Sequence, residues 1–261
     1  MKLPIRSMYI ASAGCTLIEM DLSQAESWVV AFSAREESMK HALKGGFIHE
    51  QTASLLFNKP IDQISKPERY IGKKCNHALA YRMGAEQLFR DFNKEAQFSN
   101  VTITLAQAKS YRNKWHSSYH IKAWWDSIEG VLRNGRTITT IYGRRRIFYN
   151  RWGNELFKEA TAFIPQSTVA DHTLGAVQKE VGIEGGIIGI NRFCKSHTGC
   201  NLLLTAHDSA LLEVPRGCEL EIAQQVHTLF ARPMVINGVE FTIPADVKVG
   251  ERWGEMEALK L

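Results

Sequence analysis

The chain has 261 residues, enough for one large domain or two small ones, and a formal net charge of +5. Its 44% apolar and 23% charged content is that of a globular protein, and no apolar run reaches the ~18 residues of a membrane span. The amino terminus, Met1 to Arg6, lacks the apolar stretch of a signal peptide, and five cysteines at irregular spacing argue against a disulfide framework.

Cys15 to Met20 reads as an apolar strand ending in Asp21. Ser23 and Glu26 have capping-box spacing and open a helix that runs to about Arg35. Gly45 and Gly46 break the pattern, and His49 to Phe57 makes the next helix. A further helix follows from Ser65, with Glu68 at capping-box spacing and Pro67 in the first turn, where a missing N–H costs nothing. On it Arg69, Lys73, His77 and Tyr81 recur every four residues, so they share one face. Two fixed cations, a titratable ring and an aromatic suit a polyphosphate carrying a flat base; the alternative is a solvated basic face.

Gly84 starts another helix, and Thr104 to Ile128 reads as one long helix or two, rich in core-spaced aromatics (Tyr111, Trp115, Tyr119, Trp124, Trp125). Thr137 to Tyr142 and Ile147 to Tyr149 form a hairpin around Gly143 to Arg146. Phe157 to Val181 is helical with an interruption at Pro165, and the glycines at 182 to 189 form a loop. Neither a dinucleotide fingerprint nor a phosphate-binding P-loop is present. Asn201 to Val214 reads as an apolar hairpin with His207, Asp208 and Ser209 at its tip; a helix over 219–231 and a strand region over 239–249 complete the chain. Residues 133–151 carry six arginines and no acid, and residues 66–90 have a net charge of +4. Such patches fit a polyanionic partner.

Asp21 and Asp208 each sit at the end of an apolar element, where a bare carboxylate is costly unless paired or bound to a cation. Two of them together repel unless divalent ions lie between. Few oxygen ligands with open positions for phosphate suit Mg²⁺, and a pair of such ions can activate a hydroxyl and stabilise a leaving pyrophosphate. With Arg69 and Lys73 these parts make a nucleotidyl transferase; isolated strand-end aspartates are the alternative. Cys194, His197 and Cys200 offer three zinc ligands with no evident fourth, against a plain loop entering the next strand. A Ser209 hydrolase lacks its nucleophile elbow.

Asp21-Leu-Ser-Gln-Ala-Glu26 resembles the first polymerase motif of the family A DNA polymerases. Arg69-x₃-Lys73-x₃-His77-x₃-Tyr81 resembles the second, and His207-Asp208 the third. Ile48 to Ser54, Thr140 to Arg146 and Pro165 to Asp171 fit further blocks in family order. The resemblance implies an α+β chain: a palm of antiparallel sheet and helices from 1–35 and 165–261, with helical fingers inserted over 36–164. It implies template-directed DNA synthesis with two Mg²⁺ (Mn²⁺ as a substitute), on primer–template DNA and deoxynucleoside triphosphates, inside a bacterial or phage-infected cell and away from membranes. Asp21, Asp208 and the Leu22 carbonyl would hold the metals. His49, Arg69 and Lys73 would hold the triphosphate, with Lys73 able to protonate pyrophosphate. Gln24, Glu26, His77 and Tyr81 would border the nucleotide, with Glu26 excluding a ribose 2′-hydroxyl. Arg82, Arg144, Arg145, Gln166 and His207 would meet DNA.

Four positions depart from the family pattern: His77 for Phe or Tyr, Leu22 for Tyr, Arg82 for Gly, and Ser209 for Glu. The thumb, the proofreading domain and an upstream primer-binding segment have no counterpart in the sequence, so the expected arrangements are a fragment, a minimal enzyme, or one part of a split enzyme whose second chain carries thumb and exonuclease. A non-catalytic primer–template binding subunit is the rival reading. The intact acids and phosphate-face cations argue against it.

Overall fold

The computed structural model describes residues 5–261; the first four residues of the expected 1–35 span lie outside it. The described chain forms two compact units, and no helix in it is long and apolar enough to cross a membrane. One unit takes residues up to 25 with 141–144 and 167–261; the other takes 26–140 and 145–166.

In chain order the elements are β1 (Cys15–Leu22), α1 (Ala25–Ala34), α2 (Glu37–Lys44), α3 (Ile48–Phe57), α4 (Lys66–Ala80), α5 (Ala85–Lys94), α6 (Ala96–Ser99), α7 (Leu105–Ser118), α8 (Lys122–Arg133), β2 (Thr137–Thr139), β3 (Arg145–Ile147) and α9 (Asn154–Leu174). There follow α10 (Gly186–Ser196), β4 (Asn201–Ala206), β5 (Ser209–Pro215), α11 (Glu219–Phe230), β6 (Pro233–Ile236), β7 (Val239–Thr242), β8 (Ala245–Gly250) and β9 (Glu257–Ala258).

The first unit is built on a five-stranded sheet of order β4-β5-β1-β8-β9, antiparallel at every pairing. The central strand β1 is covered on both faces, with Leu17 on one and Ile18 and Met20 on the other fully buried. Ile222, Ala223, Val226 and Phe230 of α11 are the buried stripe of an amphipathic helix. Trp253 packs with Leu17 and Leu211.

The second unit is helical. Trp115 and Tyr119, spaced one turn apart, are its largest fully buried side chains. The sequence's open choice between one helix and two is resolved by a break at residues 119–121 between α7 and α8. The capping box of Ser65 and Glu68 forms, with Pro67 in the first turn of α4.

Helix α3 packs closely on α4, and Gly72 makes the approach possible. A Cβ at Gly72 would lie 2.3 Å from the His49 carbonyl oxygen and 2.9 Å from the Ala53 nitrogen. Backbone cannot yield as a side-chain tip can. Gly72→Ala is therefore expected to cost roughly 1–3 kcal/mol, read by chemical denaturation, through displacement of α3 from α4.

Three local expectations are corrected. Ser23 and Glu26 do not form a capping box, because Gln24 between them is left-handed (φ 57°) and α1 begins only at Ala25. The helix through Pro165 is not interrupted: α9 runs from Asn154 to Leu174 with Pro165 buried inside it, against the usual helix-breaking effect of an interior proline. The glycine-rich loop gives way to helix at Gly186.

Candidate active site

In the sheet unit, β1 carries Asp21 to its end, directly opposite Ser209 of β5 and Asp246 of β8. His207 and Asp208 are the two-residue link between β4 and β5, and His207 adopts the left-handed φ of 60° that such tight turns favour. The Asp208 carbonyl accepts from the Leu22 N–H at 3.0 Å, tying the turn to the end of β1. Ser23 completes the clamp: its N–H donates to the Pro244 carbonyl at 2.8 Å and its hydroxyl to Asp246. Ser209 is buried and donates its hydroxyl to the Ala206 carbonyl at 2.8 Å, which braces the turn.

Asp21 is thus half-buried among acids. Burial first, then the Asp208 carboxylate, push its pKa from 3.8 up to about 6, with smaller contributions from Glu19 and Asp246 and an opposing one from Lys248. A carboxyl raised by folding favours the protonated native state. Its contribution to stability is present below the ordinary carboxyl range and is lost as pH rises toward 6. At pH 8, without metal, the charged Asp21 is a destabilising group. Asp21→Asn is expected to raise Tm by roughly 2–4 °C in chelator at pH 8, and the gain should shrink toward pH 5; an unchanged Tm at pH 8 would contradict the crowding of these acids.

Among the described residues no three His, Cys, Asp or Glu side chains are arranged to enclose a metal. Two carboxylates at one end of the sheet, all-oxygen and open, instead suit Mg²⁺, which keeps waters and takes substrate phosphates as ligands. The two carboxylates of Asp21 and Asp208 are donors of the kind that ion takes.

In the helical unit, α4 presents Arg69, Lys73 and His77 on an exposed face, with Tyr81 at its end. Arg69 is ion-paired with Glu50. The close approach at Gly72 places His49 of α3 beside that face, its ring centroid 6.2 Å from that of His77. Burial first, then His77, Arg69 and Lys73, lower the His49 pKa from 6.5 to about 4, so the ring is neutral at pH 7. The Tyr81 hydroxyl donates to the Glu26 carboxylate, and burial, then Glu26, raise its pKa. A cavity of about 900 Å³ is lined by His77 and Tyr81 together with Arg90, Lys109, Arg112 and Lys158.

The remaining expected residues are used differently. Arg82 is largely buried: its guanidinium pairs with Glu129 at 2.6 Å and lies over Trp125 at 4.9 Å, which gives it a packing role. Arg144 is held by three hydrogen bonds to Asp171, at 2.5 to 3.0 Å. Arg145, Gln166 and His207 are exposed. The Gln24 amide oxygen is buried with no hydrogen-bond partner.

Cys194 and Cys200 bring their sulfurs to 3.1 Å, but His197 stacks on Phe193 with centroids 3.8 Å apart and bonds to its own helix, so the trio does not converge. Two residues of the helical site escape sequence reasoning. Gly72 carries no chemical signal. Asn76 is hidden in the apolar face of α4, though its place one residue before His77 marks it as a polar side chain facing inward.

Comparisons with known proteins agree with this architecture. The family model "DNA polymerase family A" matches residues 1–255. The thermostable DNA polymerase I of Thermus thermophilus is 26% identical over 258 residues, covering 95% of this chain and 28% of that protein. DNA polymerase I of Deinococcus radiodurans is 30% identical over 258 residues, covering 94% and 24% respectively. Among solved structures, the POL domain of Pol1 from M. smegmatis in complex with DNA primer-template and dNTP superposes with a TM-score of 0.78 at 21% identity, covering 97% of this chain and 43% of that one. The chain spans about a quarter of the length of these curated relatives, and by the extent of the family match it belongs to DNA polymerase family A.

Proposed function

We propose that this chain carries the nucleotidyl-transfer centre of a DNA polymerase. A primer 3′-hydroxyl attacks the α-phosphate of a paired deoxynucleoside triphosphate, a P–O bond forms, and pyrophosphate leaves. The observation that carries the reading is the proximity of Asp21 and Asp208 at one end of the sheet, clamped by the Leu22 N–H to the Asp208 carbonyl and by Ser23 to β8. On this reading the sheet unit is the palm and the helical unit the fingers.

Divalent ions held by Asp21, Asp208 and the Leu22 carbonyl, Mg²⁺ or its substitute Mn²⁺, supply an activated hydroxyl and charge neutralisation when bound. Arg69 and Lys73 neutralise the β- and γ-phosphates, and Lys73 gives its proton to the departing pyrophosphate. Neutral His49 adds a hydrogen-bond donor without another charge. Glu26, fixed by Tyr81, walls the sugar site; Gln24 and His77 border it. The exposed Arg145, Gln166 and His207 meet the duplex. A partner chain carrying thumb and exonuclease is the corresponding proposal for how the duplex is gripped.

The test is single-nucleotide extension of a labelled primer in Mg²⁺, with each deoxynucleotide offered in turn against each template base. Extension by the complement alone, by the chain by itself or with the product of a neighbouring open reading frame, is expected. Untemplated addition, or binding of primer–template with no extension in either ion, contradicts the reading.

The Glu26 gate has its own test. Glu26→Ala removes the partner of the Tyr81 hydroxyl and the wall against a 2′-hydroxyl, and should raise the ribo- to deoxynucleotide incorporation ratio by roughly ten- to a hundredfold. An unchanged ratio in a folded, active variant would leave Glu26 as the anchor of Tyr81 only.

A further inference from the structure

Asn76 projects from α4 into the helical unit and is 2% exposed. Four polar groups surround its amide. The Trp115 indole N–H and the Thr52 hydroxyl each lie 2.9 Å from Oδ1, while Nδ2 lies 3.4 Å from His49 Nδ1 and 3.4 Å from the Ile48 carbonyl oxygen. Carboxamide oxygen and nitrogen are alike in shape, so their orientation must come from the partners. Here one partner decides it. An indole N–H can only donate, and Trp115 is fully buried. The Asn76 atom facing it must therefore be the oxygen.

The consequence passes to His49. With the oxygen turned to Trp115, the Asn76 NH₂ faces Nδ1, and an NH₂ can only donate. Nδ1 must accept. A neutral imidazole carries one N–H, which leaves the proton on Nε2. Burial and the neighbouring cations keep the ring neutral.

We propose that Asn76 is a positioning residue that holds His49 in the Nε2–H tautomer, so that the ring offers a donor and not a lone pair to the anion bound by Arg69 and Lys73. The other tautomer would set a nitrogen lone pair against phosphate oxygen. The proposal rests on the reading of that face as the triphosphate site. It also makes Trp115 of α7 part of the device, because its indole is what denies Asn76 the opposite orientation.

The direct test uses the full wild-type chain, labelled with ¹⁵N at histidine and observed by NMR at pH 8, with the His49 signals assigned through His49→Gln. Nδ1 in the unprotonated range and Nε2 in the protonated range are expected; a protonated Nδ1 overturns the proposal. Binding of inorganic tripolyphosphate supplies the second readout. Asn76→Ala should mix the two tautomers and weaken tripolyphosphate binding about tenfold, and should cost nothing further in a His49→Gln background. An equal loss in that background would mean that Asn76 acts on the fold and not through His49, and would overturn the proposal. The failure of the underlying reading looks different: His49→Gln alone would leave tripolyphosphate binding unchanged.

Discussion

Replacing either Asp21 or Asp208 by alanine is expected to lower single-turnover primer extension by at least about a thousandfold, while binding of primer–template falls little. A cation at a phosphoryl oxygen contributes several kcal/mol of transition-state charge stabilisation, and each 1.36 kcal/mol is a factor of ten in rate. On the proposed reading, contact with DNA depends on other groups, chiefly the arginine-rich stretch over 133–151. Stability should move the other way from activity. Asp21 is crowded by Asp208 and half-buried, so its removal relieves repulsion. A variant that is inactive, more stable without metal and still competent to bind DNA would separate a cation-holding carboxylate from a structural one. Residual extension within tenfold of wild type would sink the assignment.

The second large effect is expected at Lys73. Its ammonium lies on the exposed face of α4, and Lys73→Ala should raise the apparent Kd for deoxynucleotide by roughly ten- to a hundredfold, as expected for loss of a charge-assisted contact worth about 1.5–3 kcal/mol. The maximal rate should fall as well if Lys73 is, as proposed, the proton source for the leaving pyrophosphate. Arg69→Ala should have a smaller effect on nucleotide affinity. Arg69 is already paired with Glu50, so part of its charge is spent within the protein. Pre-steady-state kinetics over a range of nucleotide concentrations read both. Unchanged affinity in both variants would return this face to plain solvated surface.

Much of the frame was legible in the chain because it depends on short-range chemistry. The strand ending in Asp21, the box of Ser65 and Glu68, and the four-residue spacing from Arg69 to Tyr81 are local patterns, and local hydrogen bonding and helix geometry produce them. The hairpin was legible for the same reason, two apolar runs flanking a polar tip, although Ser209, expected at that tip, already opens β5. Family order then supplied the expectation that distant segments belong together.

What escaped depends on partners far apart in sequence. Ser23 looked like a helix cap by spacing, yet its hydroxyl goes to Asp246, 223 positions away. Glu26 likewise finds Tyr81 across 55 positions. Arg82 read as a cation for DNA, but the Trp125 ring and Glu129 claim it. Gly72 shows the limit most plainly. A glycine in mid-helix is a weak helix former with no chemistry of its own, and its value is visible only when the His49 carbonyl of α3 is seen 2.3 Å from where a Cβ would stand. Asn76 is the same lesson for a polar residue, since its meaning lies in Trp115, 39 positions away.

The central claim is that Asp21 and Asp208 together hold the catalytic cations. The measurement closest to it is Mn²⁺ binding by the full chain without nucleotide, followed through the free-ion signal in electron paramagnetic resonance. Saturable binding is expected in the wild-type chain. Asp21→Ala and Asp208→Ala should each weaken it by at least about tenfold, and Lys73→Ala should leave it unchanged. A chain carrying both alanine substitutions that still bound Mn²⁺ with wild-type affinity would show that the carboxylate pair is not the cation centre.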